Sequence, residues 1–372
     1  MYRTKVNVAL LIPSLGAGGA ERVITHLANY WAQQGYSVVI YTLEPSVSFY
    51  ALLPGVQHVP LGEGVPSGSL RKASYLVSRI RPLRRQLRQQ QSQVLIAFLD
   101  IAISLAIVAT RFSRVKVVVS ERSVPHVRKT NPWLQSLNHW LYRWSDRLVL
   151  QTQRIADTFP RLQHKITVIP NPVPLPSTQI DDASYPTHLA YKKVVCMGRL
   201  TALKQYDKVL RAFHQFTRSR PGWTLTILGE GEERENLERL RAELGLDESV
   251  HLPGTTTQPA EVLRQASVFF LSSRFEGFPN ALCEAMAIGL PSIATRCPYG
   301  PEEIIQHQQN GWLVPVDYAP TWAEALEIVT ADVSRYQRLG IAAKQVVRTY
   351  GTERVMQQWE ATIRQATEAT NP

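Results

Sequence analysis

Apolar positions along this chain fall into two alternating rhythms. Short unbroken runs at residues 6–12, 38–42, 115–120, 148–150, 166–169, 193–197, 223–228, 250–252, 268–271 and 292–295 have the character of strands buried on both faces. Between many of them the apolar residues recur at helical spacing. Val23, Leu27, Tyr30 and Trp31 mark one side of a helix predicted over residues 22–34 and stopped by Gly35. Val209, Leu210, Phe213 and Phe216 mark another, and residues 232–244 a third whose Glu and Arg residues form a solvated face. Strand followed by helix, repeated along the chain, predicts an α/β protein with parallel sheets.

At 372 residues the chain exceeds what one core usually organises. The pattern breaks at 174–186, a stretch of Pro, Ser, Asp and Thr without periodicity. The expected organisation is a domain over 1–170, a linker over 171–190, a second domain over 191–350 and a final helical segment over 351–372. The apolar run 94–110 contains Asp100 and divides into a strand and a helix rather than a membrane span. The start of the chain lacks the apolar core and small-residue cleavage site of a signal peptide. Cys196, Cys283 and Cys297 are widely separated and without a CxxC, which excludes a disulfide framework and a zinc motif and fits a reducing cytoplasm.

Charge adds a second constraint. Lys and Arg number 41 against 30 Asp and Glu, a formal net charge of +11 that favours an anionic partner. No acidic residue lies between 64 and 99, where Arg71, Lys72, Arg79, Arg81, Arg84, Arg85 and Arg88 crowd one helix expected to break near Pro82. Leu70, Leu76, Val77, Ile80, Leu83 and Leu87 supply its apolar side. Such a segment can rest on an anionic membrane surface or cover a sheet with a solvated basic face, and the residues leave both open. Trp133, Trp140, Tyr142 and Trp144 punctuate a later helical run as core or lipid-facing aromatics.

Candidate chemistry concentrates at residues 275–291, FEGFPNALCEAMAIGLP. A strand ends, a turn carries Glu276, Gly277 and Pro279, and a helix runs to Gly289. A helix start offers unpaired N–H groups and partial positive charge to a phosphate. Glu276 and Glu284 can accept hydrogen bonds from sugar hydroxyls, each charged bond worth roughly 1.5–3 kcal/mol. Alone, two glutamates at this spacing would be ordinary solvated residues. A second element, Gly198-Arg199-Leu200 with Lys204 after it, follows the strand 193–197 and places two cations where a diphosphate could bind. A third, Leu15-Gly16-Ala17-Gly18-Gly19-Ala20-Glu21, follows the first strand. It fails the dinucleotide fingerprint at Glu21 and lacks an acid closing the next strand, but still offers backbone N–H groups to a phosphate. Glu121 and Arg122 lie at the end of the strand 115–120, with His126 further on.

Taken together, these motifs resemble family 4 retaining glycosyltransferases, over almost the whole chain and most closely over its second half. The carriers are the E-x7-E pair Glu276 and Glu284, the GGAE loop at Gly18, the GR-L…K element, the IPNPV before the linker, and Gly300-Pro301-Glu302-Glu303. The resemblance implies a GT-B fold, two Rossmann-like doubly wound domains facing each other across a cleft, with the last helix crossing back onto the first. It implies that Glu276 contacts the donor sugar, that Glu284 holds the ribose, and that backbone around Phe278, Pro279, Asn280 and Ala281 meets the sugar and diphosphate. Gly16, Gly18 and Gly19 would face the donor, Arg199 and Lys204 would grip its phosphates, and backbone near Leu252 would meet the base.

The expected reaction moves a hexose or N-acetylhexosamine from a nucleotide-diphosphate sugar, UDP-linked, to a hydroxyl of a glycan or lipid-linked acceptor, in envelope polysaccharide or glycolipid assembly. No metal and no cofactor are expected, the nucleotide sugar being a substrate. Family members often carry a histidine near residue 121; here Glu121 is the preferred acceptor-side group. A nucleotide-sugar epimerase and a glycoside hydrolase are the competing enzyme readings. Nucleic-acid binding is disfavoured, because the basic residues come without an aromatic RNA motif or a helix-turn-helix.

Overall fold

The computed structural model describes residues 6–62, 69–122 and 140–368, with the side chains of 69–73 left aside. Trp133 and His126, singled out above, lie outside the described residues. The chain divides into two units, Met1–Asn171 with Val355–Pro372, and Pro172–Arg354.

Unit 1 is built on a seven-stranded sheet ordered β3-β2-β1-β4-β5-β6-β7. The strands are β1 (Asn7–Ile12), β2 (Ser37–Thr42), β3 (Val56–Pro60), β4 (Val94–Phe98), β5 (Lys116–Ser120), β6 (Arg147–Leu150) and β7 (Ile166–Val168), and every pairing is parallel. The unbroken apolar runs have the expected cause: residues 9–12 of β1 and 94–98 of β4 are fully buried between helical layers. Helix α1 (Gly19–Gln33) buries Val23, Leu27 and Trp31 of the predicted stripe and leaves Tyr30 half-buried. Helices α2 (Ser69–Gln89) and α3 (Asp100–Thr110) follow β3 and β4.

Two sequence expectations change here. Helix α2 runs unbroken through Pro82. Buried Tyr75, Leu83 and Leu87 anchor it on both sides of the proline, and the Tyr75 hydroxyl donates to the Leu43 carbonyl at 2.7 Å. Tertiary packing therefore overrides the missing N–H of Pro82. Strand β3 was not foreseen; as an edge strand with exposed positions it lacks the apolar run of the others.

Unit 2 carries a six-stranded parallel sheet ordered β10-β9-β8-β11-β12-β13. Its strands are β8 (Lys193–Met197), β9 (Thr224–Leu228), β10 (Val250–Gly254), β11 (Val268–Leu271), β12 (Ser292–Thr295) and β13 (Trp312–Val314). The stretch expected as a linker is largely exposed but docks on this unit at two points. Ile180 is buried and donates its N–H to the Ile288 carbonyl at 2.8 Å, and Tyr185 is buried at the start of the helix Tyr185–Ala190. Isolated apolar residues in a proline-rich stretch show no period, so their docking is silent in sequence.

The helix Thr352–Glu368 returns the chain to unit 1. Val355, Met356, Trp359, Ile363 and Ala366 join its core. Trp359 stacks on Phe98 at 6.2 Å between ring centroids and meets Trp31 edge-on at 6.4 Å.

Candidate active site

Both sheets reverse their direction of growth beside the first strand, between β1 and β4 in unit 1 and between β8 and β11 in unit 2. In open α/β sheets ligands bind beyond the carboxyl ends of the strands at such a point. In unit 2 the segments that leave β8 and β11 there are the Arg199–Lys204 and Ser272–Glu276 loops.

After β8 the chain makes a single 3₁₀ turn, Ala202–Lys204, then passes through Gln205, which is buried and left-handed (φ 53°), into the helix Tyr206–Ser219. Lys204 Nζ lies 2.5 Å from Glu276 Oε1, and the Ser273 hydroxyl donates to the same oxygen at 2.5 Å. The two charged side chains are only 20% and 12% exposed, so their attraction is screened less than that of a surface pair. Around them the loops are stitched together. The Arg274 N–H donates to the Leu203 carbonyl at 2.9 Å, the Ser272 hydroxyl to the Lys204 carbonyl, and the Thr295 hydroxyl to the Ser273 carbonyl.

Behind the pair stands Asp317, whose carboxylate accepts from Arg274 at 2.7 Å and also from Gln205 and Lys208. Those hydrogen bonds hold its pKa down to about 2, Arg274 contributing most. Asp317 thus joins the loop after β13 to both loops that bear Lys204 and Glu276. Buried beneath them, the Tyr206 phenol and the Cys297 thiol resist ionisation, chiefly through desolvation and then through the nearby Glu276 charge for Cys297.

Two glycines set the path of the Gly198–Leu200 segment. A Cβ on Gly229 would stand 2.0 Å from the Gly198 carbonyl oxygen, and one on Gly231 2.2 Å from that of Leu200. Only with hydrogen there can the Leu200 N–H donate to the Glu230 carbonyl at 2.8 Å and the Leu200 carbonyl accept from Glu233 at 3.0 Å. Arg199, held by this segment, is exposed.

The helix Asn280–Ile288 begins after Pro279 with no side-chain cap and no acidic residue in its first turn, which leaves its start suited to an anion. Gly277, Pro279 and Asn280 lie on the approach to it. The Phe278 ring is buried against Tyr350, 5.5 Å between centroids, and half-buried Ala281 packs on the core. From those two residues backbone alone is available to a ligand. Glu284 sits half-buried in the second turn of the helix. Gly300 closes over the loop, where an added Cβ would lie 2.9 Å from Pro279 and 3.3 Å from Glu276.

Gly16, Gly18 and Gly19 belong to unit 1, where the loop caps α1, and the Glu21 carboxylate folds over Gly18 within 2.1 Å of where a Cβ would be. The acid that breaks the dinucleotide pattern therefore occupies the loop itself. Glu121, also in unit 1, is 3% exposed and accepts a 2.6 Å hydrogen bond from the Tyr142 hydroxyl. Arg122 beside it lies over Phe98, 4.4 Å from the ring centroid, with burial lowering its pKa to about 9. The Leu252 carbonyl accepts from Arg234 of the charged helix at 2.7 Å, so that helix is not wholly a solvated face. Sequence reasoning missed Ser273, Gln205, Asp317, Gly229 and Gly231. The two serines directly after the apolar run of β11 and the Gly-Glu-Gly after β9 were the available signals. Asp317 had none.

Among the described residues no group of three or more His, Cys, Asp or Glu is placed to hold a metal ion. No helix among them is long and apolar enough to cross a membrane.

Two doubly wound parallel units, the second with a lysine–carboxylate pair at its switch point, give the architecture of the GT-B fold. Comparison with known proteins gives the family. Residues 17–176 match the model of Glycosyltransferase Family 4, and residues 178–346 that of Glycosyl transferases group 1. The chain belongs to these glycosyltransferases. It is 24% identical over 355 residues, 95% of this chain and 97% of the relative, to a Campylobacter jejuni α-1,4-N-acetyl-D-galactosaminyltransferase named for an undecaprenol diphosphate-linked glycan. Its fold is similar to that of sucrose-phosphate synthase from Thermosynechococcus elongatus, with TM-score 0.82 and 18% identity over 98% of this chain and 100% of that one. It is also similar to Anabaena HepE in complex with UDP and glucose, with TM-score 0.79 and 16% identity over 96% and 99% of the two chains.

Proposed function

We propose that this enzyme transfers a hexosyl or N-acetylhexosaminyl group from a UDP-linked sugar to a hydroxyl of a glycan or lipid-linked glycan, with retention of anomeric configuration. The observation that carries this reading is the Lys204–Glu276 pair at the switch point of unit 2. An ammonium and a carboxylate within 2.5 Å form a two-sided receptor, the cation for a phosphate oxygen and the anion for a sugar hydroxyl. The names of relatives support the donor and acceptor classes, since one is an N-acetylgalactosaminyltransferase for a polyprenol-linked glycan and a structural neighbour was solved with UDP and glucose.

In the reaction, the bond from the anomeric carbon to the diphosphate oxygen breaks and a bond from that carbon to the acceptor oxygen forms. The acceptor proton passes to the departing nucleoside diphosphate. Arg199, Lys204 and the start of the helix Asn280–Ile288 stabilise the charge that grows on that leaving group, the largest electrostatic term expected here. Glu276 turns from Lys204 toward the sugar as the phosphate claims the lysine. Glu284, one turn into the helix, accepts from the ribose. No protein base is required.

A screen of UDP- and GDP-sugars for thermal stabilisation identifies the donor, and proton NMR of the product gives its anomeric configuration. Transfer to an acceptor with retention is expected. Conversion of the donor without acceptor would instead indicate an epimerase, and glycan cleavage without nucleotide a hydrolase. Glu284→Ala is expected to raise the donor KM with little change in kcat, and Glu276→Ala chiefly to impair handling of the sugar, weakening binding of the sugar nucleotide and lowering kcat.

A further inference from the structure

Helix α3 ends in an unusual way. Its C-terminal turn closes with the Ser113 N–H donating to the Thr110 carbonyl at 2.8 Å, and Phe112 takes the left-handed conformation, φ 65°. That position at a helix end is ordinarily given to glycine, because a Cβ is strained there. Here it holds a phenylalanine that is 95% exposed. Neither backbone sterics nor burial accounts for the ring.

Phe112 is not isolated. The Arg111 guanidinium lies 5.1 Å from its ring centroid and 3.8 Å from that of Trp144, and Trp144 meets Trp140 edge-on at 5.8 Å. Trp140, Trp144 and Val108 are each about half exposed as well. Arg114 and Arg143, two residues after Phe112 and one before Trp144 in the chain, are exposed, while Asp146 is engaged by Lys116 at 3.2 Å. Arg84 ties α2 to the same place by donating to the Ala109 carbonyl at 2.7 Å and the Val108 carbonyl at 3.1 Å. Arg81, Arg85 and Arg88 of that helix are exposed.

We propose that this patch of unit 1 is a membrane-interface anchor: Phe112, Trp140 and Trp144 enter the boundary between headgroups and acyl chains of an anionic bilayer, and the surrounding arginines meet lipid phosphates. Amphipathic aromatic rings favour that boundary, and each arginine near an anionic surface adds attraction. The charge selects this occupant over a second copy of the chain, because self-association through this face would bring Arg111, Arg114 and Arg143 against their own counterparts. The basic segment recognised in sequence thereby becomes one border of a larger surface whose apolar anchor lies elsewhere. This inference is independent of which donor the enzyme uses.

The test is sedimentation of the full chain with vesicles of phosphatidylglycerol and phosphatidylethanolamine, and with phosphatidylcholine vesicles, for wild type and Phe112→Gly. The substitution removes the ring and supplies the residue that the backbone favours, so the unfolding temperature should not fall. Expected are binding to the anionic vesicles, weaker binding to phosphatidylcholine, and about a tenfold loss for Phe112→Gly, in proportion to the apolar surface withdrawn. Transfer to a soluble acceptor should be unchanged, and Arg111→Glu should lose anionic-vesicle binding to a similar extent. Absence of wild-type binding, or equal binding by Phe112→Gly, would overturn the proposal. So would self-association without lipid that Phe112→Gly abolishes, since the patch would then join copies of this chain.

Discussion

Lys204 and Glu276 show how single residues acquire a joint role. Neither is unusual by type, and lysine and glutamate on a surface contribute little when they pair. Enclosure changes this, because Ser273 fixes one carboxylate oxygen and the Lys204 backbone is tied to Ser272. Asp317 acts at one remove, through Arg274, Gln205 and Lys208. Its folded-state pKa is depressed to about 2, so its hydrogen bonds contribute stability above the ordinary carboxylate pKa and lose it as pH falls through about 2. Asp317→Asn should therefore unfold at a lower temperature than wild type by a constant margin from pH 7 to about pH 4. The margin should narrow as pH falls further, which scanning calorimetry at several pH values would show. In sequence, Lys204 and Glu276 were legible as candidates through their motif, whereas Asp317 and Gln205 were not. Their importance arises from left-handed turns and contacts across more than a hundred residues, which leave no local pattern.

At the level of elements, glycine contacts set where the cations stand. Gly229 and Gly231 let the turn after β9 press on the segment after β8, and a methyl group at Gly231 would collide with the Leu200 carbonyl. Gly231→Ala should shift the Arg199 loop and raise the donor KM about tenfold, with a stability loss of about 1–3 kcal/mol from overpacking. Steady-state kinetics and chemical denaturation would measure both. Buried parallel strands were the easiest elements to read, because two covered faces demand unbroken apolar runs. Edge strand β3, helix α2 through Pro82 and the docked segment around Ile180 were not readable, since each depends on partners distant in sequence.

For the whole molecule, the chain completes unit 1 only with its last helix, and Trp359 is the largest side chain that it adds to that core. Trp359→Ala should destabilise unit 1 by about 3–5 kcal/mol, seen as a lower unfolding midpoint while the Lys204–Glu276 pair in unit 2 stays formed. In the proposed function unit 2 carries the diphosphate grip. Isothermal titration of wild type, Lys204→Ala and Glu276→Gln with UDP and with the UDP-sugar that stabilises the protein most tests this directly. Loss of one charged contact is worth roughly 1.5–3 kcal/mol. Lys204→Ala should therefore weaken both ligands by about tenfold or more, and Glu276→Gln should weaken the sugar nucleotide while leaving UDP unchanged. Wild-type affinity for both ligands in both variants would contradict it.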